Sequence, residues 1–113
     1  MSYFTNANPD LLNLLNGEGI NICEFGCGAG ALACETRKRT SVNYYVGADI
    51  CIDPLIEAKA HIDSLIHCDL DDSGIWLDED FNRKIPDNYF DYIVFGDVLE
   101  HLKNPEYTLQ SVK

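Results

Sequence analysis

Ile20-Asn21-Ile22-Cys23-Glu24-Phe25-Gly26-Cys27-Gly28-Ala29-Gly30-Ala31-Leu32 is the stretch that decides the fold of this 113-residue chain. Ile20, Ile22 and Phe25, with small Cys23 among them, read as a buried strand. The glycines follow where a parallel strand must turn tightly into a helix. Gly26, Gly28 and Gly30 let the backbone take positive φ and approach a bound molecule with no Cβ in the way, and a helix opening at Ala29 offers unpaired N–H groups. The turn is therefore a candidate ligand site. Glu24 bears on which ligand. A pyrophosphate is poorly served by a carboxylate two residues before the first glycine, whereas an ammonium or sulfonium is attracted by it. The stretch favours a cationic, nucleotide-like ligand, with the plainer alternative that Glu24 caps N–H groups of its own loop.

Outward from this stretch, strands and helices alternate. Upstream, Asn8-Pro9-Asp10 combines a cap, a first-turn proline and a first-turn acid, and Leu11, Leu12, Leu14 and Leu15 supply an apolar face that Gly17 ends. Downstream, a helix from about Ala29 to Arg39 turns Leu32, Ala33 and Cys34 inward and ends in Arg37, Lys38 and Arg39, where cations suit the dipole. Tyr44 to Ile50 is a second strand, and Asp53-Pro54 repeats the cap-plus-proline signal for a helix through Leu55, Ile56, Ala58 and Ile62. Ser64 to Cys68 is a short third strand. Between Asp69 and Asn88 one short amphipathic helix through Trp76, Leu77 and Phe81 is expected inside an acidic loop. Pro86-Asp87-Asn88 is a turn, Tyr92 to Phe95 a buried parallel strand, and Asn104-Pro105-Glu106 the start of another helix. Such alternation specifies an α/β, doubly wound parallel sheet with right-handed crossovers.

Composition bounds the rest. The length suits one domain, and 46% apolar residues suffice for a core. No run approaches the roughly 18 apolar residues of a membrane span, and the first residues have neither a basic nor an apolar leader region, so the default compartment is cytoplasmic. Nineteen acids against eight bases give a formal net charge of −11, which repels phosphate backbones and argues against nucleic acid as substrate. The acidic runs Asp69-Leu70-Asp71-Asp72 and Asp78-Glu79-Asp80 read as solvated loop, Asp69 excepted because it ends an apolar strand. Of the five cysteines, Cys23, Cys27, Cys34, Cys51 and Cys68, none forms a C-x-x-C pair, and small apolar filler is their expected role.

Glu24-Phe25-Gly26-Cys27-Gly28-Ala29-Gly30 resembles the first motif of the class I S-adenosylmethionine-dependent methyltransferases. Three later segments resemble the others of that family in order: Val46-Gly47-Ala48-Asp49-Ile50, His67-Cys68-Asp69-Leu70, and Phe90-Asp91-Tyr92-Ile93-Val94-Phe95-Gly96-Asp97-Val98-Leu99-Glu100-His101-Leu102, the last in the form of the small type 11 branch. The resemblance runs from about Asn8 to the end. It implies a Rossmann-like sheet whose order begins 3-2-1-4, with three further strands of the family fold not represented. The 113 residues would then be a single S-adenosylmethionine-binding domain, incomplete at its C-terminus, with an open edge on the fourth strand through which two copies can associate.

The same resemblance implies the site. Gly26 and Gly28 would face the methionine moiety, Asp49 the ribose, and Asp69 with the Leu70 backbone the adenine, with Cys27 and Ile50 also among the cofactor-binding residues. The Phe95-Gly96 backbone and Glu24 would hold the ammonium end. Asp49 lies 23 residues past Gly26, near the roughly 20-residue offset at which a carboxylate accepts both ribose hydroxyls. Glu24, Asp49, Asp69 and Asp97 each stand at or just past a strand's carboxyl end, so the acids are expected on one rim; Asp97 reads equally as a helix cap. Methyl transfer needs a base only when the acceptor begins protonated. His101, beside Glu100, is the histidine expected near the rim, as base or pocket wall, with His61 assigned to a helix and His67 to a strand. No metal is expected, and the acceptor is expected to be a small molecule. Two other functions remain open: a nicotinamide-dependent oxidoreductase, because Gly26 to Ala31 also satisfies G-x-G-x-x-A, and a non-catalytic module on the same scaffold.

Overall fold

A computed structural model describes residues 9–95 of the chain. In chain order the elements are α1 (Pro9–Leu14), β1 (Ile20–Phe25), α2 (Ala31–Arg39), β2 (Val42–Asp49), α3 (Ile52–Ala58), β3 (Ser64–His67), a 3-10 helix (Ser73–Leu77), α4 (Glu79–Lys84) and β4 (Tyr92–Phe95). Asn8, Gly96, Asp97, Glu100, His101 and the helix expected from Asn104 lie outside the described residues.

The four strands form one sheet in the order β3-β2-β1-β4, with every neighbouring pair parallel. Side chains alternate along β1, so the two faces are built from different residues. On one face Ile20, Ile22 and Tyr45 pack with Leu12 and Leu15 of the α1 region, Leu32 and Ala33 of α2, and Leu55 and Ala58 of α3. On the other, Cys23, Phe25, Val46, Ala48 and Ile66 pack with Leu70, Phe81 and Ile85 around α4. Helices on both faces make the sheet doubly wound, as expected. The start of β4 is pinned to β1 by a reciprocal pair: Asn21 N–H donates to Asp91 Oδ2 and Asp91 N–H donates to the Asn21 carbonyl, both at 2.8 Å. Among the described residues β4 pairs with β1 alone, yet Val94 is buried and Tyr92, Ile93 and Phe95 are half-buried.

Several local expectations are corrected. Leu12 and Leu15 are three apart and share a buried face, whereas Leu14 is turned away and is 64% exposed. By the same geometry Leu55 and Ala58 face the core while Ile56 stands out in solvent. α2 opens at Ala31 and not Ala29, because Gly30 takes φ +88 and a left-handed residue cannot lie inside the helix. α3 is capped at Cys51, which places Asp53 and Pro54 in its first turn, and His61 falls in the turn beyond its end. Cys34 is half-buried instead of turned fully inward. The stretch after β3 makes two short helices where one was expected, because two of its acids are caps. Asp72 Oδ1 accepts from Gly74 N–H at 2.9 Å, and Asp78 Oδ1 accepts from Phe81 N–H at 3.0 Å. Phe81 is buried as expected, but Leu77 is exposed.

Candidate cofactor site at the glycine loop

The chain leaves β1 by hooking over the end of β2. Gly26 and Cys27 N–H both donate to the Ala48 carbonyl, at 2.7 and 3.1 Å, and Gly30 N–H donates back to the Cys27 carbonyl at 3.0 Å. Such a reversal needs left-handed residues, and Gly26, Gly28 and Gly30 supply them with φ of +81, +54 and +88.

Asp49 holds this loop. Its Oδ2 accepts from Gly28 N–H at 2.9 Å and its Oδ1 from Cys51 N–H at 2.9 Å, so one carboxylate ties the glycine loop to the start of α3. The side chain is buried, and each oxygen keeps a further acceptor position. Gly47, opposite Glu24 in the parallel register, is the second support. A Cβ there would stand 2.8 Å from Cys27 Sγ and from Ile62 Cδ1, so the thiol of the loop sits in the space left by the missing side chain. Burial, aided by the nearby Glu24 carboxyl, pushes the Cys27 thiol well up, which keeps it a neutral filler.

Glu24, expected on the rim, is turned into the fold. It is 4% exposed, and its Oε1 accepts the Tyr45 hydroxyl at 2.6 Å. Its pKa is pushed up to about 7, chiefly by burial and also by the nearby Asp49, with the Tyr45 hydrogen bond opposing both.

The residues expected on the adenine side, Asp69 and Leu70, follow the end of β3. Asp69 is exposed and spends Oδ1 on Asp71 N–H at 2.9 Å, a local turn, while the Leu70 side chain is buried in the α4-side core. Ile50 is 59% exposed beside Asp49, and its carbonyl accepts His67 Nε2–H at 2.7 Å. His67 lies in a strand as expected, but as the last residue of β3, at its carboxyl end beside its register partner Asp49. Phe95 is half-buried, its ring stacked on Phe25 with centroids 5.0 Å apart. Cys68, expected as filler, is half-buried with its thiol pushed up to about 12, burial being the largest cause. The structure therefore brings Gly26, Cys27, Gly28, Asp49 and Ile50 together, with Glu24 beneath them.

Tyr45, Gly47 and His67 are the residues that sequence reasoning missed. A glycine inside an apolar strand signals a close approach, and Gly47 carried that signal. A groove of about 490 Å³ lies apart from the glycine loop, between β3 and the stretch around α4, lined by His67, Cys68, Phe81 and Lys84 among others.

The comparisons with known proteins bear on the fold and the family. A chain in the solved complex between the Haloferax volcanii Trm112 methyltransferase activator and a protein described as a methyltransferase superposes with a TM-score of 0.62 at 20% identity. The match covers 84% of this chain and 39% of that one, so this chain spans well under half the length of its structural relative. No curated protein matches. A family model described as "Methyltransferase domain" matches residues 2–113, and the chain belongs to that family.

Proposed function

We propose that this chain binds S-adenosylmethionine over residues 26–30 and is the cofactor-binding part of a methyltransferase. The observation that carries the proposal is the Asp49 bridge. A carboxylate at the end of β2, bonded to the glycine loop and retaining free lone pairs, fits the hydroxyls of a ribose. The left-handed glycines leave the loop backbone bare for the methionine part, and Ile50 offers an exposed apolar surface beside the ribose acid.

When bound, the cofactor supplies a methyl group already activated on a sulfonium. The chain's own contribution is placement. Gly26 to Gly30 and Asp49 fix the ligand against the sheet end, and Asp69 with the Leu70 backbone serves the adenine side. Phe95, with Gly96 beyond it, lines the amino-acid end. Alignment of this kind supplies roughly 7–11 kcal/mol when reacting atoms are held at about 3–3.5 Å. His101 is proposed as base or pocket wall, with His67 as a second candidate because it already lies at the rim. A small-molecule acceptor suits the acidic chain better than a nucleic acid does, and a protein activator of the kind in the Haloferax volcanii complex is a further proposed partner.

Isothermal titration with S-adenosylmethionine and, separately, with NAD tests the reading. Binding of the first and not the second is expected. Binding of NAD alone, or of neither by folded protein, overturns it.

A further inference from the structure

Glu24 and Tyr45 form a pair that no step of the proposed chemistry requires. Glu24 stands opposite Gly47, and Tyr45 lies two residues earlier on β2, at the diagonal position a long side chain reaches across parallel strands. The hydroxyl meets Oε1 at 2.6 Å, with Tyr45 fully buried and Glu24 nearly so. On this face the surrounding helices present Leu12, Leu15, Leu32, Ala33, Leu55 and Ala58. The titratable groups that act on the pair are Asp49 at the end of β2, Cys27 in the loop and Cys23 on β1 itself. Among the described residues no cation is paired with it; Arg37, Lys38 and Arg83 pair instead with Asp63, Glu35 and Asp80. Two carboxyl groups thus flank the glycine loop, one tied to its backbone and one to a phenol.

We propose that Tyr45 is a positioning residue whose hydroxyl holds the Glu24 carboxyl beneath the glycine loop as a proton store, released by a cationic ligand on that loop and retained under a neutral one. This rests on reading the loop as the S-adenosylmethionine site. A positive charge over the loop favours the ionised form of a nearby buried acid. The proton leaves the Glu24 carboxyl for solvent, and the Tyr45 hydroxyl, which already donates to Oε1, keeps that bond to the carboxylate. S-adenosylmethionine carries the sulfonium that drives this, whereas S-adenosylhomocysteine, the product, does not. The site would therefore take up a proton as methyl transfer removes the charge, weakening its preference for one ligand over the other in a pH-dependent way.

The test is calorimetry near pH 7 in phosphate and in Tris, whose different ionisation enthalpies report proton release on binding. S-adenosylmethionine is expected to release roughly half a proton, since burial and Asp49 hold Glu24 up to about 7, and S-adenosylhomocysteine close to none. Glu24→Gln should abolish the release. Tyr45→Phe keeps the ring and removes the donor that holds the Glu24 pKa down, so the release maximum should move to higher pH and the affinity ratio of the two ligands at pH 7 should fall severalfold. Equal release with both ligands, release that persists in Glu24→Gln, or a Tyr45→Phe profile superimposed on the parent overturns the inference while leaving the cofactor reading intact. Folded protein that binds neither ligand overturns the cofactor reading and the inference together.

Discussion

The carboxyl ends of β1 and β3 both carry an acid, Glu24 within the first and Asp69 just past the second, and the chain builds the two ends in opposite ways. At the β1–β2 end, Glu24 and Asp49 are buried and each has a bond across the fold, to Tyr45 and to Gly28 respectively, Asp49 also closing a local turn on Cys51 N–H. At the β3 end, Asp69 is exposed and bonded to its own neighbour Asp71. The first end is therefore already organised, its geometry fixed by long-range contacts, while the second is a local turn that keeps a side chain available in solvent. Changes at the first should alter folding and binding together, and changes at the second should alter binding alone.

The largest effect is expected at Asp49. Asp49→Ala removes the acceptor of two N–H groups, and an unpaired buried donor costs about 1–3 kcal/mol. A stability loss of about 3 kcal/mol is expected by chemical denaturation, accompanied by loss of cofactor affinity. A variant of unchanged stability that still loses affinity would break the comparison, since Asp49 would then act on ligand only.

Glu24→Gln should act with the opposite sign. In the folded chain Glu24 holds its proton up to about 7, while in the unfolded chain it releases it near the ordinary value of 4.5. The folded state binds more protons through that window, so this group's contribution to stability is full below pH 4.5 and is lost as pH rises through 7. Replacing it with a neutral isostere should leave stability unchanged at pH 4 and raise it by about 2 kcal/mol at pH 8 in ligand-free protein. Denaturant midpoints measured at both pH values decide it, and a gain of equal size at each would remove titration as the cause.

These two acids also mark how far the sequence could be read. The strand Ile20–Phe25 and the glycine reversal follow from local rules, because an apolar run buried on both faces and positive φ leave direct traces in residue type, whereas the sheet order was implied by the family resemblance alone. Asp49 could be singled out as a candidate from its offset, but its bond to Gly28 could not be read, since loop and strand end meet only in three dimensions. Glu24 was read as a rim acid. Its partner sits 21 residues away on another strand, and no local pattern announces that a tyrosine will turn inward to meet it. The run after β3 was opaque for another reason: Asp72 and Asp78 cap short helices, and a cap inside a run of acids cannot be told from a solvated loop by composition.

Gly47→Ala gives a smaller and structurally sharper effect. The added Cβ would press on Cys27 Sγ and Ile62 Cδ1, both at 2.8 Å, and crowding of this kind costs about 1–3 kcal/mol. The expected result is a loss of about 1–2 kcal/mol and a weakened glycine loop. Adding Cys27→Ala removes the sulfur and should restore part of the loss, so that the two changes together cost less than their sum. A strictly additive pair would mean that the loop does not rest on Gly47.

Asp69→Ala should have the smallest effect on stability and is the cleanest probe of the β3 end. The side chain is exposed, and its one recorded bond is the turn to Asp71 N–H, which solvent can satisfy in its place. Stability should change by less than about 0.5 kcal/mol, the usual range for an exposed position. If Asp69 serves the adenine, affinity for S-adenosylmethionine and for S-adenosylhomocysteine should fall by the same factor, about tenfold, because the two share the adenine and differ only at sulfur. Equal losses with an unmoved thermal midpoint would show the β3 end acting on ligand without supporting the fold, the reverse of Asp49. A matching drop in thermal midpoint would instead mean that the two ends are built alike, and unequal losses for the two ligands would place Asp69 nearer the sulfur than the adenine.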